Sequence, residues 1–165
     1  MRFAILVACV ACAACTGGPA DVMGTYSGTI TRGDNGCNVN DWVTGGQVTD
    51  VTFDISQTGS SVHVTTNGSE AAIQDSIVMG HTFFGDVTDS SMNVLIVGTM
   101  MRTLNTCHFR LDATMTASVS GTSLSGEIHY RETVLDPSCL YVDDAGVIMQ
   151  NPTGCDSVSS FEDSR

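Results

Sequence analysis

Residues 107–119 read CHFRLDATMTASV, and apolar and polar side chains alternate at every position of this stretch. A period of two predicts a half-buried strand of an antiparallel sheet, with one face on a core and the other in water. Residues 124–131, LSGEIHYR, resume the alternation after a break at 120–123. The two stretches therefore predict a β-hairpin, and we expect this hairpin to organise the fold.

The break at 120–123 sets the expected register of the hairpin. With these residues as the turn, Met115 lies opposite Ile128 on the inner face. On the outer face, Asp112 lies opposite Arg131. A slip of one residue would turn every charged side chain inward, so the alternation itself favours this register.

Further strands are expected before and after the hairpin, because β-prone segments are separated by turns rich in glycine, serine and threonine. Residues 69–80 fit either a short helix capped by Ser69 or a loop that leads into a strand. Residues 134–154 are expected to be irregular. The expected strands are residues 22–31, 47–57, 62–65, 82–88, 91–103 and 157–165.

Gly24 and Gly28 lie on the apolar face of the first expected strand. Glycine on that face permits the sharp coiling that a closed sheet requires. We also expect the last strand to pair with the first. The sequence therefore predicts one all-β domain over residues 22–165, an antiparallel up-and-down β-barrel of about eight strands.

The chain is strongly acidic, with 18 acidic residues, 6 basic ones and a formal net charge of -12. Such a charge repels the phosphates of nucleic acids and anionic membrane surfaces, so neither is an expected partner. All the basic residues are arginine, and the absence of lysine excludes Schiff-base chemistry. A surface of this kind is most simply explained as an adaptation that keeps the protein soluble.

Residues 3–14 form an apolar run that follows Arg2. A run of about 12 residues is too short to span a bilayer, which needs roughly 20, but it suits the core of a signal peptide. We therefore predict a signal peptide over residues 1–14 and a flexible tether over residues 15–21. An ordinary secreted protein cut between residues 14 and 20 is the alternative.

Residues 12–15, CAAC, resemble the lipobox of bacterial lipoproteins. In that family the cysteine is acylated and becomes the first residue of the mature protein, which implies lipidation of Cys15. The resemblance also implies sorting to the outer membrane, because Thr16 rather than Asp follows the cysteine. Cys9 and Cys12 are alternative acylation sites, but either would leave an odd thiol or an extra exposed pair.

Four cysteines follow the predicted tether, an even number that predicts two disulfides in an oxidising compartment. Pairing Cys139 with Cys155 would tie down the irregular segment 134–154. Cys37 would then pair with Cys107 and join the first long loop to the start of the hairpin. Four cysteines allow three pairings, so the sequence leaves the connectivity open.

The polar residues do not form a recognisable catalytic or metal-binding pattern. The chain has no Gly-x-Ser-x-Gly nucleophile motif, and its histidines lack metal-ligand spacing. Residues 34–41, DNGCNVND, offer oxygen ligands for Ca²⁺, but the EF-hand order fails, and Asn and Asp are common turn formers. We therefore predict no enzyme activity, no cofactor and no metal site. The histidines are His63, His81, His108 and His129.

Six larger side chains on the apolar faces are expected to surround the barrel axis. A barrel of about eight strands is either filled by its own side chains or leaves room for one small ligand. A packed core is the expectation, and a modest cavity for an apolar ligand is the alternative. These candidate ligand-lining residues are Tyr26, Phe53, Ile55, Phe109, Met115 and Tyr130.

Both faces of the segment 91–103 are apolar. Leu95, Val97 and Met101 fall on the face that the alternation assigns to solvent. We expect these residues either to be covered or to form an exposed apolar patch.

Several pieces that span nearly all of the mature chain carry a family resemblance. They are GTYSGTI at 24–30, QTGS at 57–60, LSGEIHYR at 124–131, and the Cys139 and Cys155 pair before Arg165. With these pieces the chain is similar to a family of uncharacterised secreted lipoproteins from myxobacteria and related bacteria. The resemblance implies a β-barrel and an envelope location, with no established activity. The strand pattern also resembles the lipocalin and avidin barrels, with Tyr26 where lipocalins usually carry Trp.

Together these features predict a non-catalytic lipoprotein of the cell envelope that serves as a structural or interaction module. Its expected membrane contact is the lipid anchor, and its protein partner is not specified by the sequence. A lipocalin-like carrier of a small apolar ligand is the alternative. A filled interior with an exposed apolar patch would favour the module, whereas a large open apolar cavity would favour the carrier.

Overall fold

The computed structural model describes residues 17–136, 138–142, 146, 148–150 and 154–165. The predicted signal peptide, residues 1–14, and the acylation candidate Cys15 lie outside these residues. The described part contains eleven strands and one helix. In chain order they are β1 (Gly24–Asn35), β2 (Gln47–Thr58), β3 (Ser61–Asn67), α1 (Ser69–Val78), β4 (Thr82–Val87), β5 (Ser91–Ile96), β6 (Met101–Leu104), β7 (Cys107–Ser120), β8 (Ser123–Val134), β9 (Leu140–Val142), β10 (Ile148–Gln150) and β11 (Asp156–Ser164).

Eight strands close into an antiparallel up-and-down barrel, as the sequence predicts. Their order around the ring is β1-β2-β3-β4-β5-β7-β8-β11, and β11 pairs with β1 to complete it. Along this closing seam, Ile30 lies opposite Phe161. Each strand of the ring has a partner on both sides, so closure removes the exposed edges that an open sheet would present.

The β7–β8 hairpin has the predicted register. Met115 lies opposite Ile128, and Asp112 lies opposite Arg131. Asp112 nevertheless forms its ion pair along its own strand, with Arg110 at 2.8 Å. The register therefore follows from the alternation of apolar and polar side chains, and a cross-strand ion pair is not needed to explain it.

The prediction of one continuous strand over 91–103 is wrong, because the segment breaks into β5 and β6. β6 pairs with β7 only, among the described strands. Between the two strands, the Gly98 amide donates to the Asp112 carboxylate at 3.0 Å. A side chain at Gly98 would collide with the backbone carbonyl of Leu111. The chain thus passes β7 at a distance that only glycine permits.

Residues 69–78 form the helix α1, which confirms the helical alternative for this segment. Ser69 does not cap it, because Gly68 with a φ of 81° precedes the helix and the Ser69 hydroxyl bonds to the Asp50 carboxylate. α1 contacts β2 and β3 on one side of the ring and β7 on another, so it lies across one end of the barrel. In the part of the chain that the structure describes, no helix has the length and apolar character needed to cross a bilayer.

The described part of the predicted tether, residues 17–21, is partly held by the barrel. The Ala20 amide donates to the Thr88 carbonyl at 2.7 Å. The Gln57 side chain bonds both the Ala20 carbonyl and the Val22 amide. The chain therefore enters the barrel at the end that carries the β4–β5 turn. α1 leads into the start of β4, whereas the β4–β5 turn follows the end of β4. The helix therefore covers the opposite end of the barrel.

Two disulfides form, but they differ from the pairing of Cys139 with Cys155. Cys37 bonds to Cys155, and Cys107 bonds to Cys139. Cys37 closely follows β1 and Cys155 directly precedes β11. The β1–β11 pairing therefore brings the Cys37 and Cys155 sulfurs together. Disulfides of this kind indicate an oxidising compartment outside the cytoplasm.

The segment 134–154 is not wholly irregular, contrary to the prediction. β9 and β10 form a two-stranded hairpin within it. The Thr106 hydroxyl donates to the Leu140 carbonyl at 3.2 Å, which holds this hairpin against the β6–β7 turn. The same fold-back brings Cys139 to Cys107, and this local packing is the reason that Cys139 is not available to the later cysteine.

The two disulfides are expected to contribute unequally to stability. Replacing Cys37 and Cys155 with serine should lower the free energy of unfolding by about 5 kcal/mol, and replacing Cys107 and Cys139 by about 4 kcal/mol. The reason is that the first cross-link spans 118 residues and the second spans 32, so the first restricts the unfolded chain more.

Urea denaturation of the two double variants measures this difference, and peptide mapping without reductant checks the connectivity. An equal loss in both variants, or a larger loss for the Cys107–Cys139 pair, would contradict the entropic explanation. A peptide that links Cys139 to Cys155 would contradict the connectivity itself.

Candidate functional site

The barrel interior contains five of the six candidate ligand-lining residues. All five are buried, and they belong to one continuous core of apolar side chains. Within this core Phe53 packs edge-to-face on Phe161, with ring centroids 5.2 Å apart. Side chains thus occupy the positions at which a carrier would need space. The five residues are Tyr26, Phe53, Ile55, Met115 and Tyr130.

Phe109 is the exception, and its prediction as a barrel-lining residue is wrong. It packs with Cys107, Cys139 and Val134 in a separate small cluster. β7 extends at this point beyond the end of β5 and pairs with β6 instead. Its inner face there meets the Cys107–Cys139 disulfide, and not the core of the barrel.

Beneath α1, a buried ion pair joins the helix to the barrel wall. The Arg32 guanidinium lies 2.7 Å from the Glu70 carboxylate, and these side chains are 4% and 0% exposed. The Tyr130 hydroxyl donates to the other Glu70 oxygen at 2.5 Å. The Trp42 ring lies 4.6 Å from the Arg32 guanidinium carbon and meets the Tyr130 ring edge-on. The cluster therefore draws on α1, β1, β8 and the loop after β1.

Burial determines the electrostatics of this cluster. It raises the pKa of Glu70, and the Arg32 charge and the Tyr130 hydroxyl offset part of that rise. Burial also raises the pKa of Tyr130 well above its usual value, and the adjacent Glu70 carboxylate adds to the effect. Both Glu70 oxygens thus have a partner, on Arg32 and on Tyr130, while the other Arg32 nitrogen Nη1 has none within the described residues. These two bonds hold α1 on the barrel.

Sequence reasoning missed this ion pair, because its members are charged and lie 38 residues apart. One signal was present: Arg32 shares the period-two phase of Tyr26 and Ile30, which is the inward side of β1. For Glu70 no comparable signal exists, since the helix that carries it was expected only as one of two alternatives.

A second buried acid, Asp163, lies on the inward side of β11. It is 4% exposed, and within the described part of the chain neither of its carboxylate oxygens has a hydrogen-bond partner. Burial raises the pKa of Asp163 from 3.8 to about 6, and the nearby Thr29 amide offsets only part of this. Gly28 lies opposite on β1, where a side chain would collide with the Asp163 carboxylate.

An apolar patch lies on the outer face of β4, β5 and β6, and we define it by Phe84, Leu95, Val97 and Met101. Phe84 lies directly opposite Leu95, and Leu95 and Val97 are alternate positions of one chain. Phe84, Val97 and Met101 are 55%, 53% and 54% exposed. The His63 ring meets the Phe84 ring edge-on at 4.7 Å. Of the two expectations for this face, the structure confirms the exposed patch.

At the β6 end of the apolar patch, an arginine and an aspartate are paired with one another. Met101 lies opposite Arg110, which forms two hydrogen bonds with the Asp112 carboxylate. Arg102 lies on the opposite face of β6, across from Phe109, and is 3.1 Å from the Glu132 carboxylate there. The Arg110 and Asp112 charges therefore offset each other at this end of the patch, on a protein whose net charge is -12.

A polar groove of about 1020 Å³ runs over the outer faces of β5, β7, β8, β11 and β1 and reaches the start of β2. We call it the hydroxyl groove, because serine and threonine predominate among its outward side chains. Along β5, Ser91 and Asn93 belong to this groove, whereas Leu95 belongs to the apolar patch. The outward lining residues are Thr29, Thr31, Gln47, Ser91, Asn93, Thr116, Ser118, Ser125, Glu127, Ser160 and Glu162.

The loop 34–41, considered above for Ca²⁺, is organised by turns. The Asn35 side chain bonds both the amide and the carbonyl of Val39. Asn38 and Asp41 adopt positive φ values of 52° and 59°. These are the ordinary turn-forming roles of Asn and Asp. Among the described residues, no three His, Cys, Asp or Glu side chains converge as metal ligands.

Breaking the buried ion pair is expected to be costly. Glu70→Ala should lower the free energy of unfolding by about 3–5 kcal/mol, because it leaves the Arg32 guanidinium buried without its partner. The combined variant Arg32→Met, Glu70→Leu and Tyr130→Phe should recover most of this loss, because it leaves no unpaired charge beneath α1. Urea denaturation measures both. Equal losses in the two variants would show that the unpaired charge is not the cause.

Asp163 is expected to make stability depend on pH. Its folded pKa of about 6 exceeds the ordinary value of 3.8, so the fold favours the protonated carboxyl. The contribution of Asp163 to the free energy of unfolding is fully present below about pH 4 and is lost as the pH rises through 6. Relative to Asp163→Asn, the natural protein should therefore lose up to about 3 kcal/mol between pH 4 and pH 7.

The measurement is urea denaturation of both proteins across this pH range. The comparison with Asp163→Asn cancels the effects of the other carboxyl groups, several of which have a lowered pKa and act in the opposite direction. Parallel stability profiles for the two proteins would contradict the assignment.

No protein-family model, no curated protein and no solved structure gives a significant match.

Proposed function

We propose that this protein is a non-catalytic interaction module of the cell envelope, which docks a partner protein through the apolar patch. The observation that carries the proposal is the exposure of Phe84, Leu95, Val97 and Met101 side by side. Isolated exposed apolar residues are common on proteins, whereas a contiguous group rimmed by polar residues marks an interaction site. Among the described residues, the Arg110–Asp112 pair beside Met101 leaves no unpaired charge at that end of the patch, which lowers the cost of bringing a second protein against it.

The proposal includes export and a lipid anchor on Cys15 in the outer membrane. It is supported by the two disulfides, which suit an oxidising compartment, and by the lipobox-like residues 12–15. The chain enters the barrel at the end with the β4–β5 turn, where Ala20 bonds Thr88. An anchor on Cys15 would place this end toward the lipid.

The same geometry favours a protein over a lipid surface as the partner. From Phe84 the apolar patch runs along β5 toward the end of the barrel covered by α1, away from the entry of the tether. In this region the Thr99 amide donates to the Val78 carbonyl at the C-terminal end of α1. In an anchored molecule, the far end of the patch would therefore face away from the lipid.

A catalytic role receives no support from the two groups beneath α1 whose pKa is raised. Glu70 and Tyr130 are buried beneath α1 and bond to each other, so neither faces an open substrate site. The alternative of a small-molecule carrier receives no support from the interior, because Tyr26, Phe53 and Met115 are fully buried in a continuous core there. An interaction module needs neither an active site nor an open cavity.

Site-specific crosslinking tests the proposal. A photoreactive benzoylphenylalanine at position 84 should form one discrete adduct with another protein in cells that make the full chain. The physical reason is that Phe84 is 55% exposed at the patch and would lie at the proposed interface. The measurement is the mass of the adduct and the identity of the crosslinked peptide.

The matched control places the same probe at Thr122, an exposed residue in the β7–β8 turn at the tether end. This position should give no discrete adduct. The Leu95→Ser and Val97→Ser changes together should abolish the adduct at position 84, since they remove apolar area without touching the core. No adduct at position 84, or equal adducts at both positions, would refute the proposed docking face. An adduct of twice the protein's mass would instead identify a second copy as the occupant.

A further inference from the structure

We propose that the hydroxyl groove binds a neutral polyhydroxylated ligand, namely a glycan. This site is separate from the apolar patch and does not depend on the partner protein proposed for it. The two surfaces share β5, but their side chains are different in kind. Serine, threonine, asparagine, glutamine and glutamate supply every outward side chain of the groove.

The outward residues form two parallel rows across the strands. In the first row, Ser91 lies opposite Ser118, Ser118 opposite Ser125, and Ser125 opposite Glu162. Neighbouring strands lie roughly 4.8 Å apart, so each row presents polar groups at regular intervals across the groove. The second row crosses the same strands and continues to β2. It contains Asn93, Thr116, Glu127, Ser160, Thr31 and Gln47.

Most of these side chains keep their hydrogen-bonding capacity. Of the eleven outward residues, only Ser91 and Glu127 form side-chain hydrogen bonds with other residues in the described part of the chain. Ser91 bonds to Thr88, and Glu127 bonds to His129. Hydroxyl groups both donate and accept, and carboxylates accept only. The groove therefore matches a ligand that offers many hydroxyl groups, each of which can donate or accept.

The charge of the groove selects among such ligands. Its charged side chains are Glu127 and Glu162, and no arginine lines it. Two carboxylates repel phosphate, sulfate and uronate groups, and the net charge of -12 adds to this repulsion. Neutral glycans carry no such group. The preference for neutral over anionic glycans is thus a property of the site that can be tested.

The concave shape of the groove has a cause in the interior of the barrel. Where β7 and β8 cross its floor, Ala117 lies opposite Gly126 on the inner face. A side chain at Gly126 would collide with the backbone of Thr116 and Ala117. Small inward residues let the two strands approach and coil strongly, and a strongly coiled sheet is concave along one direction. The groove is therefore built into the wall and does not rely on flexible loops.

Titration by nuclear magnetic resonance tests the proposal on the disulfide-bonded barrel domain. The probes are cellohexaose, maltohexaose, mannohexaose and chitohexaose, with a sulfated heparin hexasaccharide as the anionic comparison. At least one neutral probe should shift the backbone amide signals of Thr116, Ser125 and Ser160 saturably. The heparin probe should not. Without a saturable shift from any neutral probe, or with equal binding of heparin, the proposal is overturned.

A pair of matched variants locates the binding. Thr31→Val with Thr116→Val removes two groove hydroxyls and keeps the β-branched shape, and should weaken binding about tenfold, as expected when two hydrogen bonds are lost. Thr65→Val with Thr82→Val is the control, because this cross-strand threonine pair lies on β3 and β4 outside the groove. The control should bind as the natural protein does. Equal affinity in all three proteins would place the ligand elsewhere and overturn the assignment.

The same titration separates this inference from the proposed docking function. The Leu95→Ser and Val97→Ser variant, which removes the apolar patch, should bind the neutral probe with unchanged affinity. If this variant lost glycan binding while the Thr31→Val and Thr116→Val variant kept it, the ligand would belong to the patch and the groove assignment would be wrong.

Discussion

The pairing of β11 with β1 is the constraint on which the rest of the structure depends. β11 lies between β1 and β8, so it joins the first strand to the long β7–β8 hairpin and turns an open sheet into a ring. Without it, β1 and β8 would each present a free edge to water and to other chains. The seam carries more than backbone hydrogen bonds. Phe161 packs from it into the core against Phe53, and the Cys37–Cys155 disulfide closes one end.

Closure gives each strand an inside and an outside, and the strict alternation then determines what each surface can bind. Among the described residues, the inside is a continuous apolar core whose charged exceptions, the Arg32–Glu70 pair and Asp163, are deeply buried. The outside carries two chemically different surfaces. β5 contributes to both, because its successive outward residues are Ser91, Asn93 and Leu95. A change of side-chain character along one short strand thus separates a polar groove from an apolar docking face.

The local pattern of the sequence was sufficient to predict the barrel and the hairpin register, and it left open whether Leu95, Val97 and Met101 are covered or exposed. These features depend on period-two alternation, which is visible within a dozen residues.

What the sequence did not reveal depends on contacts between distant segments. The disulfide connectivity follows from the seam and from the fold-back of Cys139, and neither is encoded near the cysteines themselves. The position of Phe109 outside the barrel follows from the break at Gly98, where close approach to Leu111 decides the path. The hydroxyl groove could not be predicted from the sequence for a related reason, because it forms only when five strands lie side by side.

The order of the strands along the chain has a consequence for biogenesis. Cys37 and Cys155 are separated by 118 residues, and the strand that completes the wall follows all the others. Pairings between such distant segments form slowly, because closing a large loop costs conformational entropy before any stabilising contact forms. Until β11 has been synthesised, the barrel cannot close, so the nascent chain remains incompletely folded. This property would suit a secretion channel that accepts only unfolded chains.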